Sequence, residues 1–342
     1  MHSQVIAKQE LAAFVENLLR QGEVVGVRRK DGKYVFDKIG SPGELCLDYD
    51  VTVLSPKEYF LPQREAFLKF ELAEAIKAEP ITQAQRRIIL GVHPYDIKAI
   101  QLMDAVFSKD NPDPNYFRKR EAATIIGVDC LNPSPHAFCA SVGTATAESG
   151  FDLLLTDIGA EYVVAIGSAK GEELLQKHAK TRDASDGDLS KGKTARDEAA
   201  RKYQLSAPVS LDQIPRLLEE NYDHPLWEEL AQKCLSCGSC TMVCPTCVCF
   251  DVQEDVALTL TTGERYRQWD SCLLEDFAKV ATGENFRQHR STRLRHRYFR
   301  KGKYMMERFG IQGCVGCGRC ITACLAEIAS PVDTYSRLKG GS

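Results

Sequence analysis

Two runs of closely spaced cysteines in the last third of the chain carry its clearest chemical signal. Each run follows the spacing C-x2-C-x2-C-x3-C, in which three thiolates bind one [4Fe-4S] cube and the fourth thiolate, one helical turn later, binds another. The first run is Cys234, Cys237, Cys240 and Cys244, and the second is Cys314, Cys317, Cys320 and Cys324. The spacing therefore predicts two [4Fe-4S] clusters in a protein that carries electrons.

This spacing also predicts that the two runs exchange their fourth ligands. We expect one cube to be held by Cys234, Cys237, Cys240 and Cys324, and the other by Cys314, Cys317, Cys320 and Cys244. The segment 245–313 between the runs is far longer than the connection in a minimal bacterial ferredoxin. Helices can still bring the two runs face to face, so the exchange tolerates this insertion.

Zinc sites and disulfides explain the runs less well. A zinc site takes four ligands, usually as two pairs separated by a longer loop, and each run supplies four thiols within eleven residues. A disulfide framework is typical of small secreted proteins, whereas this chain has 342 residues and starts without a signal-peptide pattern. No apolar run is long enough to span a bilayer, so we expect a cytoplasmic protein without a transmembrane segment.

Composition divides the chain into two parts. Eleven of its fourteen cysteines lie after residue 233. The net charge of -3 gives no general attraction for nucleic acid, and 44% hydrophobic with 27% charged residues is ordinary for a folded protein. A chain of this length has room for two domains with separate cores. We place the boundary near residue 205.

The first domain, residues 1–205, is predicted to be mixed α/β. Helical spacing of apolar residues covers 5–20, and residues 23–36 suggest two strands around the Asp31-Gly32 turn. Short apolar runs at 88–92, 124–128, 151–155 and 162–166 indicate further strands, and the helical pattern at 96–107 gives a βαβ unit. The charged stretch 170–202 is expected to be an exposed excursion of helix and loop.

The second domain, residues 206–342, is predicted to be an all-α, ferredoxin-like domain that carries both clusters. An amphipathic pattern at 211–232 leads into the first cysteine run. The clearest helical patterns of the insertion are 273–281 and 292–308. The expected fold class is therefore α+β, with the α/β domain first.

Glycines in the cysteine runs are candidate cofactor-binding residues. Gly238, Gly316 and Gly318 lack side chains, so backbone amides beside them can approach the cluster sulfurs and donate hydrogen bonds that tune the reduction potential. No catalytic residue is predicted. The histidines form no H-E-x-x-H pattern, and neither a G-x-G-x-x-G nor a G-x4-G-K-[ST] nucleotide motif is present.

Three more cysteines, Cys247, Cys249 and Cys272, lie between the runs. They fit packing around the clusters as small apolar side chains, and an extra cluster or a ligand swap is also open.

The basic stretch 287–303 has three interpretations as well. It would offset cluster charge or dock an acidic partner, form a nucleic-acid groove, or be an exposed helix face with its aromatic residues packed inward.

Several longer segments resemble the β subunits of cytosolic sulfhydrogenases. They are "CLSCGSCTMVCPTCVCFD" at 234–251, "RQWDSC" at 267–272, "GENFR" at 283–287, "RLRHR" at 293–297, "GCVGCGRC" at 313–320, "SPKEYFLP" at 55–62, "GVHPYDIKAI" at 91–100, "GVDC" at 127–130 and "GFDLLLTDIG" at 150–159. The iron–sulfur subunit of anaerobic sulfite reductase is similar, as are subunits that link flavin oxidoreductases to heterodisulfide reductase.

The resemblance implies an electron-relay subunit with two kinds of partner. One is a flavin- and NAD(P)-binding subunit, and the other is a hydrogenase- or reductase-type subunit. The alternative is an oxidoreductase whose own α/β domain binds a flavin or small substrate. Relatives have further cysteines where this chain has Tyr95 and Ala137, although Cys130 and Cys139 persist. We therefore expect no cluster in the first domain, unless Cys46 or a partner completes the site.

Overall fold

The computed structural model describes residues 2–72 and 76–340. Up to residue 205 the elements are β1 (Ser3–Ala7), α1 (Lys8–Leu19), β2 (Glu23–Lys30), β3 (Lys33–Lys38), β4 (Arg64–Leu72), β5 (Ile76–Pro80), β6 (Arg87–Val92), α2 (Pro94–Ser108), α3 (Pro114–Ala122), β7 (Ala123–Val128), β8 (Leu153–Asp157), β9 (Glu161–Ile166), α4 (Ala169–His178), β10 (Arg182–Asp183) and α5 (Asp186–Ala200). Beyond it they are α6 (Ile214–Glu220), α7 (Leu226–Lys233), α8 (Ser239–Met242), β11 (Phe250–Val256), β12 (Thr262–Trp269), α9 (Arg290–Phe299), a π-helical turn (Arg300–Tyr304), α10 (Met305–Phe309), α11 (Arg319–Thr322) and α12 (Pro331–Leu338).

An eight-stranded mixed sheet forms the core of the first part, in the order β10-β1-β9-β8-β7-β6-β2-β3. Strands β2, β6, β7 and β8 run parallel, and the outer strands pair antiparallel. Strand β7 is buried along its whole length, as expected for a parallel strand covered on both faces. The predicted mixed α/β character, the β6-α2-β7 unit and the hairpin at Asp31-Gly32 are confirmed.

A second, antiparallel sheet has the order β11-β12-β4-β5. Its strands come from both sides of residue 205, because Glu71 of β4 pairs with Thr262 of β12. The prediction of an all-α second domain is therefore wrong. Strand β11 is exposed along most of its length, so it lacks the apolar alternation that marks a half-buried strand. The boundary at residue 205 stays a prediction, and this sheet crosses it.

Some of the helices predicted beyond residue 205 are confirmed and others are not. The pattern at 292–308 is confirmed by α9, the π-helical turn and α10. The pattern at 211–232 is two helices, α6 and α7, instead of one. The prediction of a helix at 273–281 is wrong, since only Asp276–Ala278 forms a 3₁₀ turn within that segment. There the guanidinium of Arg293 binds the carbonyl of Leu273 at 3.0 Å, which occupies an acceptor that a helix would use.

The amino-terminal segment and the charged segment 170–202 are closer to the structure predicted from the sequence. Residues predicted as the start of the first helix form β1, because this segment pairs with β9 from Ser3↔Ala165 to Ala7↔Glu161. The charged stretch 170–202 lies in α4, β10 and α5, and most of it is exposed. A capping box between Ser185 and Asp188 starts α5. Within the described residues, no helix is long and apolar enough to cross a membrane.

A buried ion pair joins the second cysteine run to the first part of the chain. Both terminal nitrogens of Arg319, in α11, lie 2.7 Å from the carboxylate oxygens of Asp96, in α2. The Arg319 side chain is 2% exposed and that of Asp96 is fully buried. Thr52 accepts further hydrogen bonds from Arg319 through its carbonyl and hydroxyl oxygens, both at 2.8 Å. The guanidinium is therefore fully partnered.

Replacing Asp96 by Ala is predicted to destabilise the fold strongly. The change leaves the Arg319 guanidinium buried without its counter-ion, which typically costs about 3–5 kcal/mol. Asp197→Ala is the control, because it removes an exposed pair with Lys193 on α5 that is worth about 0.3–0.5 kcal/mol. Anaerobic urea unfolding followed by circular dichroism measures both. Similar unfolding midpoints for the two variants would contradict the prediction.

Candidate iron–sulfur centre

The two cysteine runs adopt the same local conformation. Helix α7 ends at Lys233, directly before Cys234, and Gly238 then takes a left-handed conformation with a φ of 75° directly before the short helix α8. In the second run Gly318 has a φ of 79° directly before α11. The backbone N–H of Ser236 donates to the sulfur of Cys234 at 3.4 Å. Each run thus wraps its cysteines around a short loop that leads into one helical turn.

Four of the predicted ligands line one cavity. Its walls include Cys234, Cys237 and Cys240 of the first run together with Cys324, the last cysteine of the second run. The hydrophobic cluster beneath contains Cys234 and Cys240, with Cys320 and Cys324 packed at its edge. The fold therefore brings together the four thiols that the sequence assigned to the first cube.

The other four predicted ligands lie near one another as well. Burial raises the pKa of Cys317 to about 12, and the charge of nearby Cys244 also raises it. Burial is likewise the main cause that raises the pKa of Cys314 and Cys320, and Cys244 again contributes. The hydroxyl of Thr246 donates to the carbonyl of Gly313 at 2.6 Å, so the segment after Cys244 contacts the start of the second run, while the charge of Cys244 also raises the pKa of Cys240 in the first run.

Buried positive groups surround these thiols and fit an anionic cluster. Arg297 lines the cavity of the first set, is 4% exposed, and has two buried nitrogens, Nε and Nη1, without a hydrogen-bond partner in the chain. Lys301 binds the Thr246 hydroxyl at 2.5 Å, and nearby thiolates, led by that of Cys244, raise its pKa despite burial. A thiolate-ligated iron–sulfur cube supplies the negative charge that these cations require.

Comparisons with known proteins agree with this site. The family model described as "4Fe-4S dicluster domain" matches residues 233–328. The chain is 35% identical over 316 residues to the sulfhydrogenase 2 subunit beta of Pyrococcus furiosus, an alignment that covers 92% of each protein. The chain belongs to the sulfhydrogenase β-subunit family. The resemblance in its sequence is thereby confirmed.

Membership of this family fixes the general role of the chain. It is an iron–sulfur protein of electron transport, with a 4Fe-4S dicluster domain in its second part. No solved structure matches it significantly. The assignment of individual cysteines and glycines as ligands or cofactor contacts stays a prediction, supported by the cavity and the cation arrangement described above.

The glycines of the second run have a structural role that the sequence did not suggest. A Cβ atom on Gly316 would lie 2.8 Å from the backbone nitrogen of Cys139, and one on Gly318 would lie 2.5 Å from the carbonyl oxygen of His136. The carbonyl of Gly316 also accepts a hydrogen bond from Phe138 N–H at 2.7 Å. The second run is thus covered closely by the backbone of segment 136–139.

Cys130 and Cys139 lie in a small apolar cluster that reaches the second run. They pack there with Tyr95, Ala137 and Cys317. Burial raises the pKa of the Cys130 thiol to about 12. Cys46 packs instead against the core of the large sheet. The absence of a cluster in the first domain stays a prediction.

The three additional cysteines lie beside the second set. A hydrogen bond with Cys272 lowers the pKa of Cys249 to about 6, and a hydrogen bond with Cys247 lowers that of Cys244. Strand pairing brings Cys249 and Cys272 together, because Asp270 N–H donates to the Cys249 carbonyl at 3.0 Å and so extends the β11–β12 ladder. The Cys247 carbonyl also accepts a hydrogen bond from Lys57 at 3.0 Å, and the roles of the three cysteines stay predictions.

The basic stretch is only partly an exposed helix face. Arg293 and Arg297 are each 4% exposed, whereas Arg295 on the same helix pairs with Asp223 and stacks on Tyr222. Tyr298 and Phe299 are buried, so the inward packing of these aromatic residues is confirmed. The sequence missed the two buried arginines, although their spacing of four residues places both on one side of α9.

Gly318→Ala is predicted to disturb the second run more than a matched glycine change elsewhere. Gly310→Ala is the control, since Gly310 also has a positive φ, of 67°, but a Cβ atom there would meet open space. Left-handed backbone costs a non-glycine residue about 1–2 kcal/mol in both variants. Only Gly318→Ala adds the clash with the His136 carbonyl.

Urea unfolding and iron content per chain measure the difference. We expect Gly318→Ala to unfold at lower urea and to bind less iron than Gly310→Ala. Equal unfolding midpoints and equal iron content would show that close packing against segment 136–139 is unimportant.

Proposed function

We propose that this chain relays electrons through two [4Fe-4S] cubes between a flavin- and NAD(P)-binding subunit and a hydrogenase- or reductase-type subunit. The observation that supports the proposal most is that Cys324 of the second run lines one cavity with Cys234, Cys237 and Cys240 of the first run. Cubes that share their ligand segments in this way lie close together, as a relay requires. The named relative is itself one subunit of a sulfhydrogenase, which supports a complex.

The two sets differ in their access to solvent. Cys237 of the first set is exposed, and the exposed side chains of Leu235 and Leu325 line the same cavity. Cys317 of the second set is buried against Cys139 and Tyr95. In the proposed relay, electrons therefore exchange with a partner protein at the first cube and reach the second cube through the interior.

The proposed setting is the cytoplasm. Fourteen unpaired thiols, among them two runs able to bind oxygen-sensitive clusters, suit a reducing compartment. Neither partner is a nucleic acid in this proposal, because the most basic helix directs two of its arginines into the protein interior.

Cys324→Ser is predicted to remove one cube and spare the other. Anaerobically reconstituted parent protein should hold about eight irons and eight sulfides per chain, and the variant about four of each. Low-temperature EPR of the reduced parent should show two spin-coupled clusters, and the variant a single uncoupled signal. Cys46→Ser is the control with unchanged iron, because Cys46 packs in the core of the large sheet.

About twelve irons in the parent would point to a third cluster, and four or fewer would end the two-cube proposal. Loss of all iron in Cys324→Ser alone would show that the second cube depends on the first. An unchanged iron content in that variant would contradict the proposed ligand exchange.

A second candidate function is an oxidoreductase in which the first domain binds a flavin or small substrate. A cleft between loop 48–53 and the second run favours it, because Asp50, Thr52, Arg319 and Thr322 line its walls. Anaerobic purification followed by flavin fluorescence and substrate-dependent dye reduction separates the two functions. A relay subunit alone shows neither, whereas bound flavin or substrate-dependent turnover by the isolated chain would favour the second function.

A further inference from the structure

Helix α9 carries two arginines on the side that faces the protein interior. Its buried residues include Arg293, Leu294, Arg297 and Tyr298, which follow the spacing of one helix face. An amphipathic helix normally places apolar side chains there, because a buried guanidinium loses its hydration. The interior must therefore supply partners for both arginines.

Arg293 finds those partners within the chain. Its Nε donates to the carbonyl of Leu273 at 3.0 Å, and Nη1 donates to the carbonyls of Arg287 and Gln288. Its Nη2 reaches the Ser236 hydroxyl at 3.4 Å. This arginine ties the loop of the first run to the segment before α9, and its donors are used.

Arg297 does not find enough partners. Its Nη2 donates to the carbonyl of Ala329 at 3.3 Å, while Nε and Nη1 are buried without a hydrogen-bond partner. Among the described residues no carboxylate forms an ion pair with it, in contrast to Arg319 with Asp96. A buried guanidinium with two unused donors and no counter-ion is costly, so an anion from outside the chain must complete its surroundings.

The position of Arg297 identifies that anion. It lines the cavity with Cys234, Cys237, Cys240 and Cys324. On its other side it shares the Ala329 carbonyl with Cys320 of the second set, whose sulfur lies 3.7 Å from that oxygen. The guanidinium thus lies between the two sets of thiols.

We propose that Arg297 is a shared cationic partner of both cubes, donating through Nε and Nη1 to their sulfur atoms and raising both reduction potentials. This inference rests on the proposed function, because it needs two cubes. Reduction adds one negative charge to a cube that is already anionic. A fixed positive charge nearby stabilises the reduced form more than the oxidised form, so its removal must lower the potential.

Other cations near the thiols are more completely partnered. Lys57 donates to the carbonyls of Cys244 and Cys247 at 3.1 and 3.0 Å, and Lys301 donates to Thr246 and Gly313. Both lysines lie near Cys244, Cys247 and the start of the second run, and neither lines the cavity of the first set. Arg297 differs because it contacts the surroundings of both sets and retains two free donors.

The test is an anaerobic redox titration of full-length, cluster-loaded protein, followed by EPR of each cube. Arg297→Gln removes the charge, Arg297→Lys retains it, and Arg295→Gln removes a charge from the outer face of the same helix. We expect the equilibrium constant for reduction of both cubes to fall at least tenfold in Arg297→Gln, equivalent to about 59 mV for a one-electron couple. We expect Arg297→Lys to remain nearer the parent, and Arg295→Gln to match it.

Fully loaded Arg297→Gln protein with unchanged potentials would overturn the proposal, as would a shift confined to one cube. If Arg297→Gln fails to hold its iron, iron content in Arg297→Lys decides. Retention in the lysine variant supports a required positive charge, and equal loss in both variants overturns it. Failure of the proposed function is seen separately, in parent protein that lacks two coupled [4Fe-4S] signals.

Discussion

Burial of negative charge is the physical constraint on which the rest of this structure depends. Eight cysteines gather in one part of the chain, most of them buried or half-buried, and burial raises the pKa of several of them, including Cys317 and Cys320. Thiolates persist in such surroundings only when positive charge lies close by. Iron supplies part of that charge, and the chain supplies more from Arg297 and Lys301. The basic sequence of α9 is therefore explained by the interior it faces, more than by the solvent.

The second cysteine run also joins the two parts of the molecule. Arg319 enters the first part and pairs with Asp96, while segment 136–139 packs directly on Gly316 and Gly318. The first run is covered less closely, because a Cβ atom on Gly238 would lie 3.1 Å from the Ser271 side chain, and Cys237 is exposed. One end of the proposed relay is consequently insulated and the other accessible. The two ends of the proposed relay are therefore structurally different, whichever way electrons flow through it.

The sequence predicted those features that depend on local spacing. Cysteine spacing predicted two sets of four thiols, and apolar runs predicted the parallel strands of the large sheet. Strand β11 was missed because nearly all its side chains are exposed, so its stability comes from pairing with β12 and leaves no pattern in its own residues. The roles of Arg297 and Gly318 were missed for a related reason: each depends on contacts with residues far away in the chain, such as Ala329 and His136.

The small sheet has a consequence for how the chain is made. Strand β4 pairs with β5 on one side, but its other partner is β12, which is synthesised long afterwards. Throughout that interval β4 presents an unpaired edge, and such edges readily join strands of other molecules. The hairpin that closes the edge follows the first cysteine run directly. The small sheet and the predicted ligand sets can therefore be completed only after the last third of the chain has been synthesised.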